Sequence, residues 1–145
     1  MPEPVTQIVA PAKTNLALAV APPDACGMHP ICSWMVTLDL CDELILQEAN
    51  DQTYFMIDWA DDAPMKSPID WPIEKDLAYR AWQAVQEAAG RAMPVEVTLH
   101  KRIPTGGGLG GGSSDAAAML RAMANHFQLD WPASKWIDLA SGLGS

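Results

Sequence analysis

The sequence predicts an α+β fold, a two-layer sandwich of sheet and helices, on three observations. Strand-like alternation dominates the chain up to Ala60, and helical spacing takes over from Ile73. Between Val95 and His126 a strand pattern, a glycine run and a helix pattern follow one another directly. Strands gathered first as a largely meandering set, with helices inserted later, favour this class over a doubly wound sheet.

Taken in order, Val5–Ala10 (VTQIVA) and Asn15–Val20 (NLALAV) read as strands, the second with Leu16, Leu18 and Val20 on one face. Pro22, Pro23, Asp24 and Gly27 mark a turn. SWMVTLDL and ELILQEA read as two further strands and Thr53–Ala60 as another, with Asn50 and Asp51 as a hairpin tip between the last two. Asp61–Pro72 is polar, carries three prolines and is a loop. From Ile73 to Ala89, Leu77, Ala81, Val85 and Ala88 recur at helical spacing, and Gly90 supplies the stop. VEVTLHKRI alternates again, with Val95, Val97 and Leu99 opposite Glu96, Thr98 and His100. A second helix is predicted from about Ser113 to His126, and a last short one begins near Pro132 or Ser134.

Length and composition bound the function. A chain of 145 residues is one domain, long enough to bury a core. Nine basic against 18 acidic residues give a net charge of −9, which excludes nucleic acid as the main partner. A local phosphate site built from backbone N–H groups remains open. No apolar run reaches membrane-span length, and MPEPVTQIVAPAK lacks the apolar core of a signal peptide, so no membrane partner and a cytoplasmic location are expected. Cys26, Cys32 and Cys41 are an odd number for a disulfide scaffold. Cys26, His29 and Cys32 lack the fourth ligand and the tight pairs of a zinc site, so reduced thiols and no metal ligands are expected.

The densest signal is KRIPTGGGLGGGSSDAAAML, Lys101 to Leu120, with six glycines among seven residues. Glycine costs roughly 0.5–1 kcal/mol against alanine in regular structure, so stability does not set the residues here. Pro104 ends the strand, and Ser113, Ser114 or Asp115 can cap the helix that follows. Strand, glycine loop and helix is an arrangement that binds phosphate, through a nest of N–H groups and the positive end of the helix. The run lacks the Gly-Lys-Ser/Thr of a P-loop. A dinucleotide fingerprint through Gly106, Gly108 and Gly111 arises by chance in so much glycine and conflicts with a mostly antiparallel sheet. A flexible linker would not carry Leu109 at its centre.

PTGGGLGGGSSDAA closely resembles the nucleotide-binding motif of the GHMP kinase superfamily. Its three-glycine form after leucine is similar to that of the diphosphocytidyl-methylerythritol kinase family of non-mevalonate isoprenoid synthesis. PAKTNLAL (Pro11–Leu18), ACGMHPICSWMVTLDLCDEL and the helix DLAYRAWQAV resemble further segments of that family, so the resemblance covers nearly the whole chain. It implies the fold of ribosomal protein S5 domain 2, the superfamily's N-terminal ATP-binding domain over residues 1–145, and ATP with Mg²⁺ as cofactors. It also implies transfer of the γ-phosphoryl group to the 2-hydroxyl of a cytidine-diphosphate sugar alcohol, a small-molecule substrate.

By the same resemblance, Pro104, Thr105, Gly106, Gly107, Gly108, Leu109, Gly110, Gly111, Gly112, Ser113 and Ser114 hold the ATP phosphates, with the two serine hydroxyls turned to phosphate or Mg²⁺. Lys13 matches the family's catalytic lysine beside the reacting hydroxyl. Asn15 and His29 match substrate-site residues, His29 at the cytosine end. His100 and His126 have no such match, and surface roles are expected for both.

Three departures bear on these expectations. Met28 stands where the family has a tyrosine that stacks on the base. Asp76 stands where an asparagine is usual, and an ionised aspartate cannot donate a hydrogen bond. The sequence SGLGS matches residues just before the family's catalytic aspartate, so the resemblance implies a C-terminal half that is absent here and weak activity without it. A kinase for another small alcohol and a non-catalytic nucleotide-binding module are the alternative readings.

Overall fold

The computed structural model describes residues 4–144. One open four-stranded sheet runs β1 (Val5–Val20), β2 (Ile31–Glu48), β4 (Val95–Lys101), β3 (Tyr54–Trp59), in that spatial order. Helices α1 (Leu77–Ala89) and α2 (Gly111–His126) pack on it, with a short α3 (Ala133–Ser141) beside them. The α+β two-layer expectation holds.

Cross-strand register explains the core. Thr6, Leu46, Val97 and Phe55 lie in one row across the four strands, and Ile8, Leu44, Leu99 and Ile57 in the next. Side chains alternate along a strand, so both rows point to one face. Leu44, Leu46, Val97 and Leu99 are there fully buried. Against them α1 sets Ala78, Ala81, Trp82 and Val85, and α2 sets Met119, Ala122 and Met123. Each fully buried Leu or Val stabilises by about 1.5–3 kcal/mol. Phe55, Tyr79 and Trp82 form an aromatic cluster with centroids 5.1–5.9 Å apart, which docks α1 on β3.

Three local expectations are corrected. The two predicted N-terminal strands are one continuous β1, and SWMVTLDL and ELILQEA are one continuous β2, with register shifts between Pro11 and Lys13 and between Asn15 and Ala17. Bulges absorb the breaks that read as strand ends in sequence. Asn50 and Asp51 do not close a hairpin: β3 pairs parallel with β4, which inserts between it and β2. A parallel pair needs a long crossover, and α1 with the proline-rich loop before it supplies that. The first helix starts at Leu77 rather than Ile73, after a single 3₁₀ turn at Ile73–Lys75.

Asp76 caps α1. Its Oδ1 accepts from the N–H groups of Ala78 and Tyr79 at 2.9 and 3.3 Å, and its Oδ2 from the Trp71 indole at 3.1 Å. The aspartate is therefore used wholly as an acceptor, the property an N-cap needs. The helix ends at Gly90, whose φ of 65° is left-handed.

Candidate active site: a glycine cradle beside Lys13

The glycine run leaves the end of β4 and enters α2, as expected for a phosphate loop. Gly106, Gly108 and Gly110 have positive φ (75°, 71° and 71°), while Gly107 and Leu109 between them do not. Alternation of this kind turns successive N–H groups toward a common side, the geometry of an anion-binding nest. The helix begins at Gly111, with Gly110 in the cap position and no side chain bonded to the free N–H groups. Ser113, Ser114 and Asp115 are thus inside the helix, not caps, and the expectation of a side-chain cap is corrected. The first turn of α2 is left open to an external acceptor, and the positive end of the helix favours an anion there.

Lys13 is brought to this loop by β1. Its N–H donates to the Leu109 carbonyl at 2.9 Å, which ties the strand to the crest of the loop. A Cβ on Gly110 would lie 3.1 Å from both Cγ and Cε of Lys13, a tight approach at a φ of 71° that strains any other residue. The Lys13 ammonium donates to Asn15 Oδ1 at 2.9 Å, and Asn15 Nδ2 donates to Ser33 Oγ at 2.8 Å. A fixed cation and a cradle of N–H groups stand side by side. A cleft of about 420 Å³ lies beside the loop, walled by the loop itself, Trp71, Lys75, Asp76, Leu77 and, from below, Lys101, Ile103 and Asp115; Lys13 is not among its lining residues. Pro104 through Ser113 all line it; Ser114 does not.

His29 is elsewhere. It sits in the turn of the β1–β2 ribbon, its Nδ1 3.0 Å from the Ala21 carbonyl oxygen, and it is exposed. Seven residues separate Lys13 from the ribbon end at Val20, roughly 20 Å at about 3.3 Å per residue. Lys13, Asn15 and the loop form one constellation; His29 is at its far end. Met28 beside it is 60% exposed.

Sequence reasoning missed a buried charge cluster under the loop. The Lys101 ammonium donates to Asp42 Oδ2 at 2.7 Å and to Asp115 Oδ2 at 2.6 Å. Asp42 Oδ1 also accepts from the N–H groups of Arg102 and Ile103. All three residues are at most 4% exposed. Burial pushes the Asp115 carboxyl up to about 8, and the neighbouring Asp42 charge adds to this, against the pull of Lys101. For Lys101 burial acts downward, but Asp115 and then Asp42 outweigh it and raise the ammonium above its usual range. A signal existed: Val95, Val97, Leu99 and Lys101 alternate without a break, which places the lysine on the core face.

His126 also departs from expectation. It is half-buried, with Nδ1 3.2 Å from Thr6 Oγ1 and Nε2 without a partner. Among the described residues no group of three or more His, Cys, Asp or Glu is placed to hold a metal, and Cys26 and Cys32 are exposed. No helix among them is long and apolar enough to cross a membrane.

Comparison with known proteins gives the same direction as the geometry. Residues 76–145 match the family model described as GHMP kinases N terminal domain. A 4-diphosphocytidyl-2-C-methyl-D-erythritol kinase of Deinococcus radiodurans is 42% identical over 130 residues, 86% of this chain and 40% of that protein. One of a Polaromonas species is 36% identical, over 97% of this chain and 46% of that protein. The chain thus spans less than half the length of these curated relatives. Among solved structures, a 4-(cytidine 5'-diphospho)-2C-methyl-D-erythritol kinase superposes with a TM-score of 0.74 at 33% identity, over 97% of this chain and 46% of the other. Homoserine kinase from Cytophaga hutchinsonii, at 17% identity and a TM-score of 0.65, shares the fold. The chain carries the fold of the GHMP kinases' N-terminal domain, with residues 76–145 matching that family's model, and it is similar to the 4-diphosphocytidyl-2-C-methyl-D-erythritol kinases.

Proposed function

We propose that this chain supplies the nucleotide site of an ATP-dependent kinase that phosphorylates the 2-hydroxyl of 4-(cytidine 5'-diphospho)-2-C-methyl-D-erythritol. The observation that carries the reading is the union of Lys13 with the glycine cradle, tied by the Lys13 N–H to the Leu109 carbonyl. Phosphoryl transfer asks a protein mainly for positioning and charge stabilisation. The nest and the open first turn of α2 fit a triphosphate, and backbone N–H groups can hold one in a protein of net negative charge. Mg²⁺ accompanies ATP and neutralises charge on the transferred group. The Ser113 hydroxyl, in the cleft wall at the helix start, supplies an oxygen for phosphate or ion; Ser114, outside that wall, is left without such a role. Lys13, oriented by Asn15, stands where it can lower the cost of ionising an acceptor hydroxyl and steady the charge that develops.

The ribbon and the relatives' names support the choice of acceptor. A substrate that reaches from Lys13 to His29 has to be elongated, as a nucleoside diphosphate joined to a polyol is. Met28 provides no aromatic platform at that end, which is the observation favouring another small alcohol. The deciding experiment supplies the protein, at the full length of its relatives, with ATP and, separately, the cytidyl methylerythritol diphosphate, mevalonate and homoserine. Preferential phosphorylation of the first is expected. Preference for another alcohol would move the assignment within the superfamily, and ATP binding without transfer to any would mark a nucleotide-binding module.

A further inference from the structure

The buried cluster of Lys101, Asp42 and Asp115 is a costly way to fill a core. One cation faces two carboxylates, and Asp115 Oδ1 has no partner at all. Well-packed apolar residues in such places are often neutral or more stable, so stability alone does not account for the cluster. Its placement is more telling. Asp42 projects from β2 and holds the two N–H groups at the start of the loop, Arg102 and Ile103. Asp115 belongs to the second turn of α2, just past the end of the loop. Lys101, from the last position of β4, bonds to both.

We infer that Lys101 is a positioning residue for the nucleotide site: its ammonium, clamped between Asp42 and Asp115, fixes the two ends of the glycine loop relative to each other. This rests on the nucleotide-site reading above. A run of six glycines has wide conformational freedom, and affinity falls in proportion to the fraction of chains that hold the binding-competent shape. The loop has three anchors. Asp42 secures its start, the Lys13 N–H its crest at Leu109, and the Lys101–Asp115 pair its end. Close approach of start to end is also written into Gly111, where a Cβ would come within 3.0 Å of Ile103 Cγ2. Lys101 borders the cleft, but it is 4% exposed and both carboxylates already engage its ammonium, so it acts through the loop's shape and not as a ligand of phosphate.

The test is titration with ATP and Mg²⁺ by calorimetry, together with amide hydrogen exchange of residues 106–112. The variant Lys101→Met/Asp115→Asn leaves no unpaired buried ammonium and keeps Asp42 Oδ1 on its two N–H donors, while Oδ2 loses its counter-ion and stability falls. It is expected to melt cooperatively, to bind ATP about tenfold or more weakly, and to exchange its loop amides faster. Asp115→Ala should lose affinity likewise, and Asp115→Asn, which keeps an acceptor for Lys101, should recover most of it. A purely structural cluster would lower the melting temperature and leave the affinity of the folded protein unchanged. That result, or an Asn variant no better than Ala, overturns the inference while the nucleotide-site reading stands. Failure of the unsubstituted chain to bind ATP overturns both.

Discussion

Lys13 and Asp115 are both ionisable groups at the glycine loop, and their surroundings give them opposite tasks. Lys13 is half-buried on β1 and bonded to a neutral amide. Asp115 is sealed beneath the loop among charges, which lifts its carboxyl to about 8. A carboxyl whose folded pKa exceeds its unfolded value binds protons more tightly in the folded state. Its contribution is fully present below the ordinary carboxylate range and is lost as pH rises toward about 8. Urea unfolding between pH 5 and pH 8 should therefore show stability falling with pH more steeply than in Asp115→Asn, by up to about one proton's worth of slope. Equal slopes would contradict this assignment. Lys13 and the glycines were legible in the sequence because each belongs to a contiguous motif. The Lys101 cluster was not, since its members come from β2, β4 and α2 and meet only when the sheet forms. The uninterrupted alternation through Lys101 was the one local trace of it.

At the scale of elements, local pattern located every helix and missed what depends on partners. The β1 and β2 strands were split at their bulges, because a bulge and a strand end look alike without the facing strand. The supposed hairpin at Asn50 and Asp51 failed because β4, later in sequence, takes the central place between β2 and β3. The start of α1 is set by Asp76, whose carboxylate meets two helix N–H groups and the Trp71 indole. Asp76→Ala should lower stability by about 1–2 kcal/mol in denaturant unfolding, whereas Asp76→Asn, which keeps the N-cap but whose amide nitrogen cannot accept from Trp71, should cost less than Ala, about 1 kcal/mol. An alanine variant as stable as the parent would mean that the cap is not what fixes the helix start. Because Trp71 lines the cleft, the same bond joins the helix cap to the wall of the candidate site.

For the whole molecule, the division of labour is between a packed body and a projecting ribbon. Leu44, Leu46, Val97 and Leu99 with the inner faces of α1 and α2 make a dry core that holds the end of β4 and the start of α2 in place. From that body β1 and β2 continue beyond the sheet as a two-stranded ribbon with Leu16, Leu18, Val20, Ile31, Trp34 and Met35 exposed. The body positions Lys13 against the glycine cradle; the ribbon carries His29 away from it. Everything proposed about chemistry depends on the first of these placements. The most direct measurement is calorimetric titration of the chain with ATP and Mg²⁺, repeated on Gly110→Val. Valine at a φ of 71°, with its Cβ 3.1 Å from the Lys13 side chain, has to distort the loop. Saturable binding of one ATP by the parent, lost in a variant that still unfolds cooperatively, is the predicted result. No saturable binding by the parent, or undiminished binding by the folded valine variant, would contradict the assignment of the glycine run as the phosphate site.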